Sequence, residues 1–384
     1  MPKYRFEQIA INSTEKKKPT EEDRFTYLGL EHLDSGSLKV TRFGSDVAPI
    51  GEKLVMREGD VLFGKRRAYQ KKVAIAPFDG IFSAHGMVLR PREDVIDKDF
   101  FPLFISSDYF LDAAIKISVG SLSPTINWRD LRNLEFNLPP LEEQKKLAKV
   151  LWAINNTMEA YKKLIKATED LVKSQFIVLF GDPIKNPLGW RTAKLSSLGE
   201  LSRGVSKARP RNQPALLGGK YPLVQTGEIT NSGTFITHHD STYSELGLAQ
   251  SRLWPKGTLC ITIAANIAQT GILSYDACFP DSVVGFITDG TVDSVFLHFW
   301  FAFLQKVLDD QATQVAQKNI NLKTLSDLQV IIPPMDLQQQ FVSFFQQSDK
   351  SKFAALNASN LNLSLSLVFQ TTTLWDSGLE PLVM

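Results

Sequence analysis

Leu138–Gln144 reads LPPLEEQ, and Ile332–Gln338 near the other end of the chain reads IPPMDLQ. The two stretches lie 332 − 138 = 194 residues apart, about half of the 384 residues. Just upstream, the segments 125–131 (TINWRDL) and 319–325 (NINLKTL) match at the same offset. Both junctions lead into long stretches without Gly or Pro, which favours helices. The sequence therefore predicts a duplicated unit, each copy followed by a helix, that meets its partner at two similar sites.

Weaker matches extend the repeat toward the start of each half. The segments 31–36 (EHLDSG) and 228–233 (EITNSG) match at an offset of 197, and 59–63 (GDVLF) and 257–261 (GTLCI) at 198. The pair His85-Gly86 matches Val284-Gly285 at an offset of 199. Short β-branched segments bounded by Gly, Pro, Asp and Ser indicate strands. The apolar spacing of 100–117 and 295–308 indicates helices, so each half is predicted to be α+β.

The clearest predicted helix runs from Leu141 to about Phe176, after Pro139-Pro140 and before the stop signal Gly181-Asp182-Pro183. Its seam residues recur at alternating steps of four and three: Leu147, Leu151, Ile154, Met158, Tyr161, Ile165, Thr168 and Val172. A seam with this period requires a partner helix. The stretch after the second junction is the obvious partner, although its Asn/Ser-rich part at 357–366 has low helix propensity. In the alternative, each helix packs only on its own domain.

The predicted fold is thus α+β, with two similar domains separated and joined by two long antiparallel helices that form a coiled coil. The predicted boundaries are 1–137 for the first domain, 138–180 for the central helix, 181–331 for the second domain and 332–384 for the C-terminal helix and tail.

Composition narrows the class of protein. Hydrophobic residues make up 43% and charged residues 22%, with a net charge of +2, as in soluble globular proteins. The two cysteines, Cys260 and Cys278, fit a reducing compartment and have no zinc spacing. Neither a signal peptide nor an apolar run of bilayer length is found. We expect a cytoplasmic protein without a metal site.

One motif imitates a nucleotide-binding loop. Residues 59–65 (GDVLFGK) match a phosphate-binding loop as far as the lysine, but Arg66 stands where Ser or Thr should bind magnesium. The following residues also do not begin a helix, so nucleotide binding is rejected. The five histidines suggest no triad or metal site, and His238-His239 is expected in a solvated turn. Catalysis by this chain alone is not expected.

A strongly basic segment is the first candidate for DNA contact. Residues 64–72 (GKRRAYQKK) hold five cations and no acid between two apolar strands, which predicts a hairpin loop. Such a loop can reach phosphates and base edges. The alternative is a solvated charged turn. The candidate residues are Lys65, Arg66, Arg67, Tyr69, Gln70, Lys71 and Lys72.

The second half offers different contact residues, so the two halves should read different sequences. Its stretch 266–270 carries no cation, whereas 202–213 is basic and free of acids through Arg203, Lys207, Arg209 and Arg211. The turns before the junctions, 120–125 and 314–319, could also bond phosphate oxygens, or could be simple capping turns. Their candidate residues are Ser121, Ser123, Thr125, Gln317, Lys318 and Asn319.

Taken together, the chain resembles the specificity subunit of Type I restriction–modification systems over essentially its whole length. The two junctions and their approaches at 120–127 and 314–321 carry the resemblance. The resemblance implies two target-recognition domains and two conserved helices that bind double-stranded DNA without catalysis. It also implies recruitment of two modification subunits, which carry S-adenosylmethionine and methylate adenine, and of ATP- and Mg-dependent restriction subunits. No cofactor is expected in this chain.

The helices suggest how such a subunit would measure its target. A helix of 36 residues is about 54 Å long, whereas one turn of the major groove advances about 34–36 Å. Two domains at opposite ends of an antiparallel pair would read a bipartite, asymmetric target with a fixed, unread spacer. Three rivals remain: a stand-alone DNA-binding module, a nucleotide enzyme that uses Lys65, and a scaffold that joins proteins without DNA.

Overall fold

The computed structural model describes residues 1–263, 268–311 and 321–370. Contacts divide the chain into two compact units, one formed by Met1–Lys163 with the segment from Leu356 onward, the other by Leu164–Ala355. Two long helices each contribute residues to both units.

The described part of the first unit contains two four-stranded sheets and one two-stranded sheet. The order β2-β9-β6-β7 is antiparallel throughout, and β3-β5-β8-β4 ends in a parallel pair. Strand β1 pairs with β10, so the first strand lies beside the last one before the helix. In chain order the elements are β1 (Lys3–Arg5), α1 (Phe6–Ile9), β2 (Ala10–Ser13), β3 (Lys16–Lys17), β4 (Tyr27–Leu28), β5 (Lys53–Met56), β6 (Val61–Phe63), β7 (Val73–Ile75), β8 (Gly80–Phe82), β9 (Met87–Pro91), α2 (Phe101–Ser106), α3 (Asp108–Lys116), α4 (Trp128–Leu131), β10 (Glu135–Asn137) and α5 (Leu141–Phe180).

The second unit repeats this plan. Its sheet order β12-β18-β16-β17-β14 contains the β2-β9-β6-β7 arrangement, and β11 pairs with β19 as β1 does with β10. In chain order its elements are β11 (Thr192–Lys194), β12 (Gly199–Arg203), β13 (Leu217–Leu223), α6 (Thr226–Asn231), β14 (Phe235–Ile236), β15 (Ser241–Tyr243), α7 (Glu245–Ala249), β16 (Leu259–Thr262), β17 (Thr270–Leu273), β18 (Val283–Thr288), α8 (Ser294–Gln311), α9 (Leu322–Ser326), β19 (Gln329–Ile331) and α10 (Met335–Gln370).

The strand pairing corrects one of the predicted matches. Val61 pairs with Leu89 in the first unit, and Leu259 pairs with Phe286 in the second. These partners are 286 − 89 = 197 residues apart, so residues 85–86 correspond to 282–283. The predicted match of His85-Gly86 with Val284-Gly285 was wrong by two residues. Register is set by pairing along the whole strand, and a dipeptide is too short to report it.

The helical prediction for 100–117 needs a second correction. The chain forms two helices there, α2 and α3, because Ser107 adopts an extended conformation (ψ 149°) between them. Its side-chain oxygen accepts a hydrogen bond from the Phe110 backbone N–H, which makes Ser107 the N-cap of α3. In the second unit α8 is continuous, as predicted.

The long helix α5 begins at Leu141, as predicted, and ends at Phe180, four residues beyond the predicted end. The predicted seam side chains are all buried or half-buried, whereas apolar residues off the seam, such as Leu164, are exposed. Phe180, the last residue of the helix, is fully buried. The helix ends there because Gly181 adopts a left-handed conformation (φ 72°). The packed face of the helix is therefore the face that the sequence predicted.

Within the second unit α5 and α10 run antiparallel, as predicted. The ring of Phe176 lies 5.2 Å from that of Phe341. Farther back along α5, Glu169 accepts a hydrogen bond of 2.5 Å from Lys352. Residue numbers fall along one helix as they rise along the other, so the direction is fixed by these two contacts.

A buried glutamine explains the first junction motif. Gln144, in the first turn of α5, is 1% exposed. Its side-chain oxygen accepts from the Asp97 N–H (2.9 Å), and its amide nitrogen donates to the carbonyls of Val95 (3.1 Å) and Pro139 (2.8 Å). One side chain thus ties the start of the helix to the loop before α2.

Gln338 does the same in the second unit, at 0% exposed. It accepts from the Asp293 N–H (2.8 Å) and donates to the carbonyls of Thr291 (3.3 Å) and Pro333 (2.9 Å). Buried polar groups are costly unless they are paired, and only a glutamine amide offers this acceptor and these two donors at this reach. We call these two residues the glutamine clamps.

Candidate nucleic-acid interface

The basic segment 64–72 is a hairpin loop, as predicted, because it joins the antiparallel strands β6 and β7. Ala68–Gln70 forms a single 3-10 turn. Arg67 (φ 55°) and Lys71 (φ 48°) flank it in the left-handed conformation, which few non-glycine residues adopt. The N–H of Gly64 donates to the Lys72 carbonyl (2.9 Å), which closes the base of the loop.

The turn at 119–125 packs directly on this loop. The N–H of Ile126 donates to the Lys65 carbonyl (2.9 Å), and the N–H of Arg67 donates to the Pro124 carbonyl (2.8 Å). The side chain of Arg66 adds a hydrogen bond from Nε to Ser123 Oγ (3.1 Å). Two segments that were separate candidates in the sequence therefore form one surface, which we call the basic face: Lys65, Arg66, Arg67, Ser121, Ser123 and Thr125.

The ammonium groups of Lys71 and Lys72 are already engaged by other groups, so these two residues add no unpaired cation to the basic face. Lys71 Nζ lies 2.6 Å from Asp108 Oδ1 and 2.9 Å from Asp112 Oδ1, both on α3. Lys72 donates to the Leu30 carbonyl (2.6 Å). The segment itself holds no acid, yet Lys71 has two carboxylate partners. The acids are distant in sequence and are brought in by the fold.

Tyr69 and Gln70 lie at the edge of a cleft of about 650 Å³ beside the basic face. Tyr69 is 57% exposed, and the backbone carbonyl of Gln70 accepts a hydrogen bond from Ser35 Oγ. The cleft is lined by the turn 35–38, the hairpin residues 69–73, parts of α2 and α3, and Leu151, Asn155 and Met158 of α5.

His85 belongs to this surface, and sequence reasoning did not select it. Its Nε2 lies 3.3 Å from Arg66 Nη1, and its backbone carbonyl accepts from the Arg66 N–H (3.3 Å). Partial desolvation of the ring, and then the charges of Arg66, Lys65 and Lys53, lower the pKa of His85. Burial, and then Lys16, lower the pKa of Lys65. The pairing of β6 with β9 brings His85 beside Lys65 and Arg66, and this pairing is the feature from which the contact could have been found.

In the second half, the basic stretch 202–213 contains paired and unpaired cations. Arg209 and Arg211 share Asp281, at 3.5 Å and 2.5 Å, an acid that lies outside the stretch and is brought to it by the fold. Arg203 and Lys207 are exposed, and within the described residues no ion pair or side-chain hydrogen bond engages them. The candidates Gln317, Lys318 and Asn319 lie outside the residues that the structure describes, as does Asn266.

The family model of the Type I restriction modification DNA specificity domain matches residues 12–169 and again 187–364. The chain belongs to this family. It is a specificity subunit, a non-catalytic component that recognises DNA sequence for a Type I restriction–modification system. The two matches coincide with the two halves that share a sheet order and a glutamine clamp.

Known relatives agree with this assignment. The specificity subunit is 21% identical over 364 residues to the type I restriction enzyme MjaX specificity subunit of Methanocaldococcus jannaschii, covering 86% of this chain and 82% of the other. It is 28% identical over 160 residues to the EcoDI specificity subunit of Escherichia coli, covering 40% and 35%. Its fold is similar to that of the Type-I system S subunit from M. genitalium, with a TM-score of 0.60 at 13% identity, covering 96% and 94%.

The remaining motifs of the specificity subunit have structural explanations. Residues 61–63 of the apparent phosphate loop are strand β6, and a hairpin loop rather than a helix follows Lys65. Cys260 and Cys278 are free and buried, and burial raises both pKa values. In the described part of the chain, no group of three potential metal ligands is assembled. Among the described helices, none is long and apolar enough to cross a bilayer.

Proposed function

We propose that this specificity subunit recognises a bipartite, gapped and asymmetric DNA target, with one half-site for each domain. One observation carries the proposal: the two domains share the same framework but carry different exposed loops. The glutamine clamps hold both domains to their helices in the same way, so the domains can be presented equivalently. Their contact groups differ, so each half-site should have its own sequence.

The first domain contacts DNA through the basic face. Lys65, Arg66 and Arg67 supply positive charge, and Arg side chains are suited to guanine edges as well as phosphates. Tyr69 and Gln70 lie beside them, with Lys71 and Lys72 as supports rather than contacts. The domain boundaries that we propose, 1–137 and 181–331, leave the helices outside both domains.

The second domain contacts DNA through Arg203 and Lys207, with Arg209, Arg211 and the candidates Gln317, Lys318 and Asn319 nearby in sequence. Arg203 lies at the end of β12, opposite Val284 of β18. Arg203 and Lys207 are unpaired, whereas Arg209 and Arg211 share the carboxylate of Asp281. The donors of this domain are therefore arranged differently from those of the basic face.

The helices set the spacer between the half-sites. At 40 residues α5 is about 60 Å long, and it runs antiparallel to α10 where they touch. Inserting one helical turn of matched seam sequence into both helices should lengthen the spacer of the methylated target. An unchanged spacer would mean that the helices do not measure it.

The chemistry resides on partner subunits. We infer that two modification subunits bind S-adenosylmethionine and methylate adenine, which they must flip from the duplex to reach. Restriction subunits would supply ATP- and Mg-dependent cleavage. The specificity subunit fixes register and orientation, in the cytoplasm where the chromosome lies.

The decisive experiment is adenine-methylation mapping, by long-read sequencing, of the source strain with and without this gene. We expect one gapped, asymmetric methyl-adenine motif to disappear and to return on complementation. As a matched control, the strain without the gene is complemented with a variant in which Lys65, Arg66 and Arg67 are replaced by Ala. An unchanged map in a strain with active partner genes would instead favour a stand-alone DNA-binding module.

A further inference from the structure

Arg66 is held from two sides, unlike its neighbour. Its Nε donates to Ser123 Oγ (3.1 Å), and its Nη1 lies 3.3 Å from His85 Nε2. Its backbone also bridges to Thr125 of the adjacent turn. Arg67 is also exposed, yet within the described residues nothing engages its guanidinium. Two adjacent arginines on one face therefore differ in how firmly their side chains are oriented.

The held guanidinium keeps free the donors that base recognition needs. An arginine has five N–H donors. Ser123 uses the one on Nε and His85 uses one on Nη1, which leaves one on Nη1 and both on Nη2. Two parallel donors are sufficient for a bidentate contact with O6 and N7 of guanine in the major groove. Holding the side chain beforehand removes part of the ordering cost of binding.

His85 can hold Arg66 only as an acceptor, so its Nε2 must be unprotonated. The charged groups that face the ring are Arg66, Lys65 and Lys53, all positive. They and the partial desolvation of the ring keep the pKa of His85 below its ordinary value, so the neutral form prevails at neutral pH.

From this geometry we propose that Arg66 reads a guanine in the first half-site, and that Ser123 and His85 are its positioning residues. Arg67, which has no such support, contacts a phosphate. The inference rests on the proposed function, because it assigns the roles within one of the two half-sites. It divides a single basic loop into a base-reading residue and an electrostatic one.

The test uses the full complex of specificity and modification subunits on duplexes that carry the mapped target. Each base pair of the first half-site is varied in turn, and affinity is measured across a series of salt concentrations. Arg66→Lys keeps the charge but removes the fork. We expect it to lower discrimination roughly 10- to 100-fold at one G·C pair while the salt dependence stays unchanged.

Arg67→Ala is the matched control, and it should weaken binding to all duplexes alike and reduce the salt slope by about one. Ser123→Ala and His85→Ala should lower discrimination at the same G·C pair as Arg66→Lys, by a smaller factor and without a change in slope. His85→Gln, which retains an acceptor, should restore most of it. Melting temperatures identify any variant that fails to fold; if a positioning variant fails, the comparison of Arg66→Lys with Arg67→Ala carries the test.

Three negative results are distinguishable. If the unaltered complex prefers no base pair in the half-site, the proposed function itself fails. If it does discriminate, but Arg66→Lys leaves the profile unchanged or lowers every position equally, the role of Arg66 is overturned. If Arg66→Lys lowers discrimination at one base pair, but Ser123→Ala and His85→Ala weaken binding to all duplexes equally, then Ser123 and His85 are not positioning residues.

Discussion

The two halves of this specificity subunit share their buried polar framework and differ in their exposed polar groups. Gln144 and Gln338 each make the same set of three hydrogen bonds to corresponding backbone groups. The hairpin loop of the first half is cationic, whereas the basic stretch of the second half follows a different strand, β12. The attachment of each domain to its helix is therefore the same in the two halves, while the exposed loops that it carries differ.

Breaking a glutamine clamp should have the largest effect. Gln144→Ala or Gln338→Ala leaves one N–H and two carbonyls of the buried joint without their partner, and each unpaired buried group costs about 1–3 kcal/mol. We expect each variant to lose about 3 kcal/mol or more of unfolding free energy, and the loss to be similar in the two halves. Guanidinium unfolding measures it, and amide hydrogen exchange resolves which joint opens.

The neighbouring positions Lys145 and Gln339 supply matched controls, because both are exposed and one residue further along their helices. Alanine at either should change stability by less than about 0.5 kcal/mol. Equal losses at clamp and control positions would show that the clamps are ordinary helix residues and that the shared framework lies elsewhere.

Removing the unpaired cations would sharpen the contrast between the DNA-facing surfaces. Replacing Lys65, Arg66 and Arg67 together by Ala should weaken DNA binding roughly tenfold or more and reduce the salt slope by about two, because Lys65 and Arg67 contact phosphates whereas Arg66 reads a base. Replacing Arg203 and Lys207 should reduce it by about two. The measurement is the affinity of the complex against salt concentration. If neither set changes the slope, the scaffold reading, in which DNA is not contacted, gains support.

Much of this framework was predictable, because its signals are local. The start and stop of α5 follow from Pro139-Pro140 and Gly181, and the seam follows from residue spacing alone. The pairing of Lys71 with Asp112 was not predictable, since ion pairs depend on which helix packs behind the loop. The role of His85 was not predictable either, because it depends on the long-range pairing of β6 with β9, which brings His85 beside Arg66.

Another difference between the halves concerns pH. Nδ1 of His298, on α8, lies within hydrogen-bond distance (2.9 Å) of the Thr270 hydroxyl. Burial lowers the pKa of His298 to about 4. Val73 holds the first position of β7, as Thr270 does of β17, and carries no hydroxyl for such a contact. The unfolded chain takes up a proton as pH falls through about 6.5, whereas folded His298 does so only near 4.

The stabilisation that comes from neutral His298 is therefore complete above pH 6.5 and is lost as pH falls toward 4. We expect the unfolding free energy to drop by about 2 kcal/mol between pH 7 and pH 5 from this residue. His298→Gln keeps a polar partner for Thr270 but does not titrate, so unfolding curves of this variant should show a shallower pH dependence. Parallel curves for the two proteins would mean that His298 charges freely in the folded state.

The smallest predicted effect concerns cations that acids now neutralise. Asp281→Asn should free Arg209 and Arg211 in the second half, and Asp112→Asn should leave Lys71 with one carboxylate in the first. Because exposed pairs contribute little to folding, stability should change by less than about 0.5 kcal/mol. The salt slope of DNA binding should rise by about one for Asp281→Asn and by less for Asp112→Asn. Asp327→Asn, which frees Lys194 on β11 with the same change in net charge, is the control. A rise of equal size in all three variants would show that net charge, rather than these two loops, governs the contact with DNA.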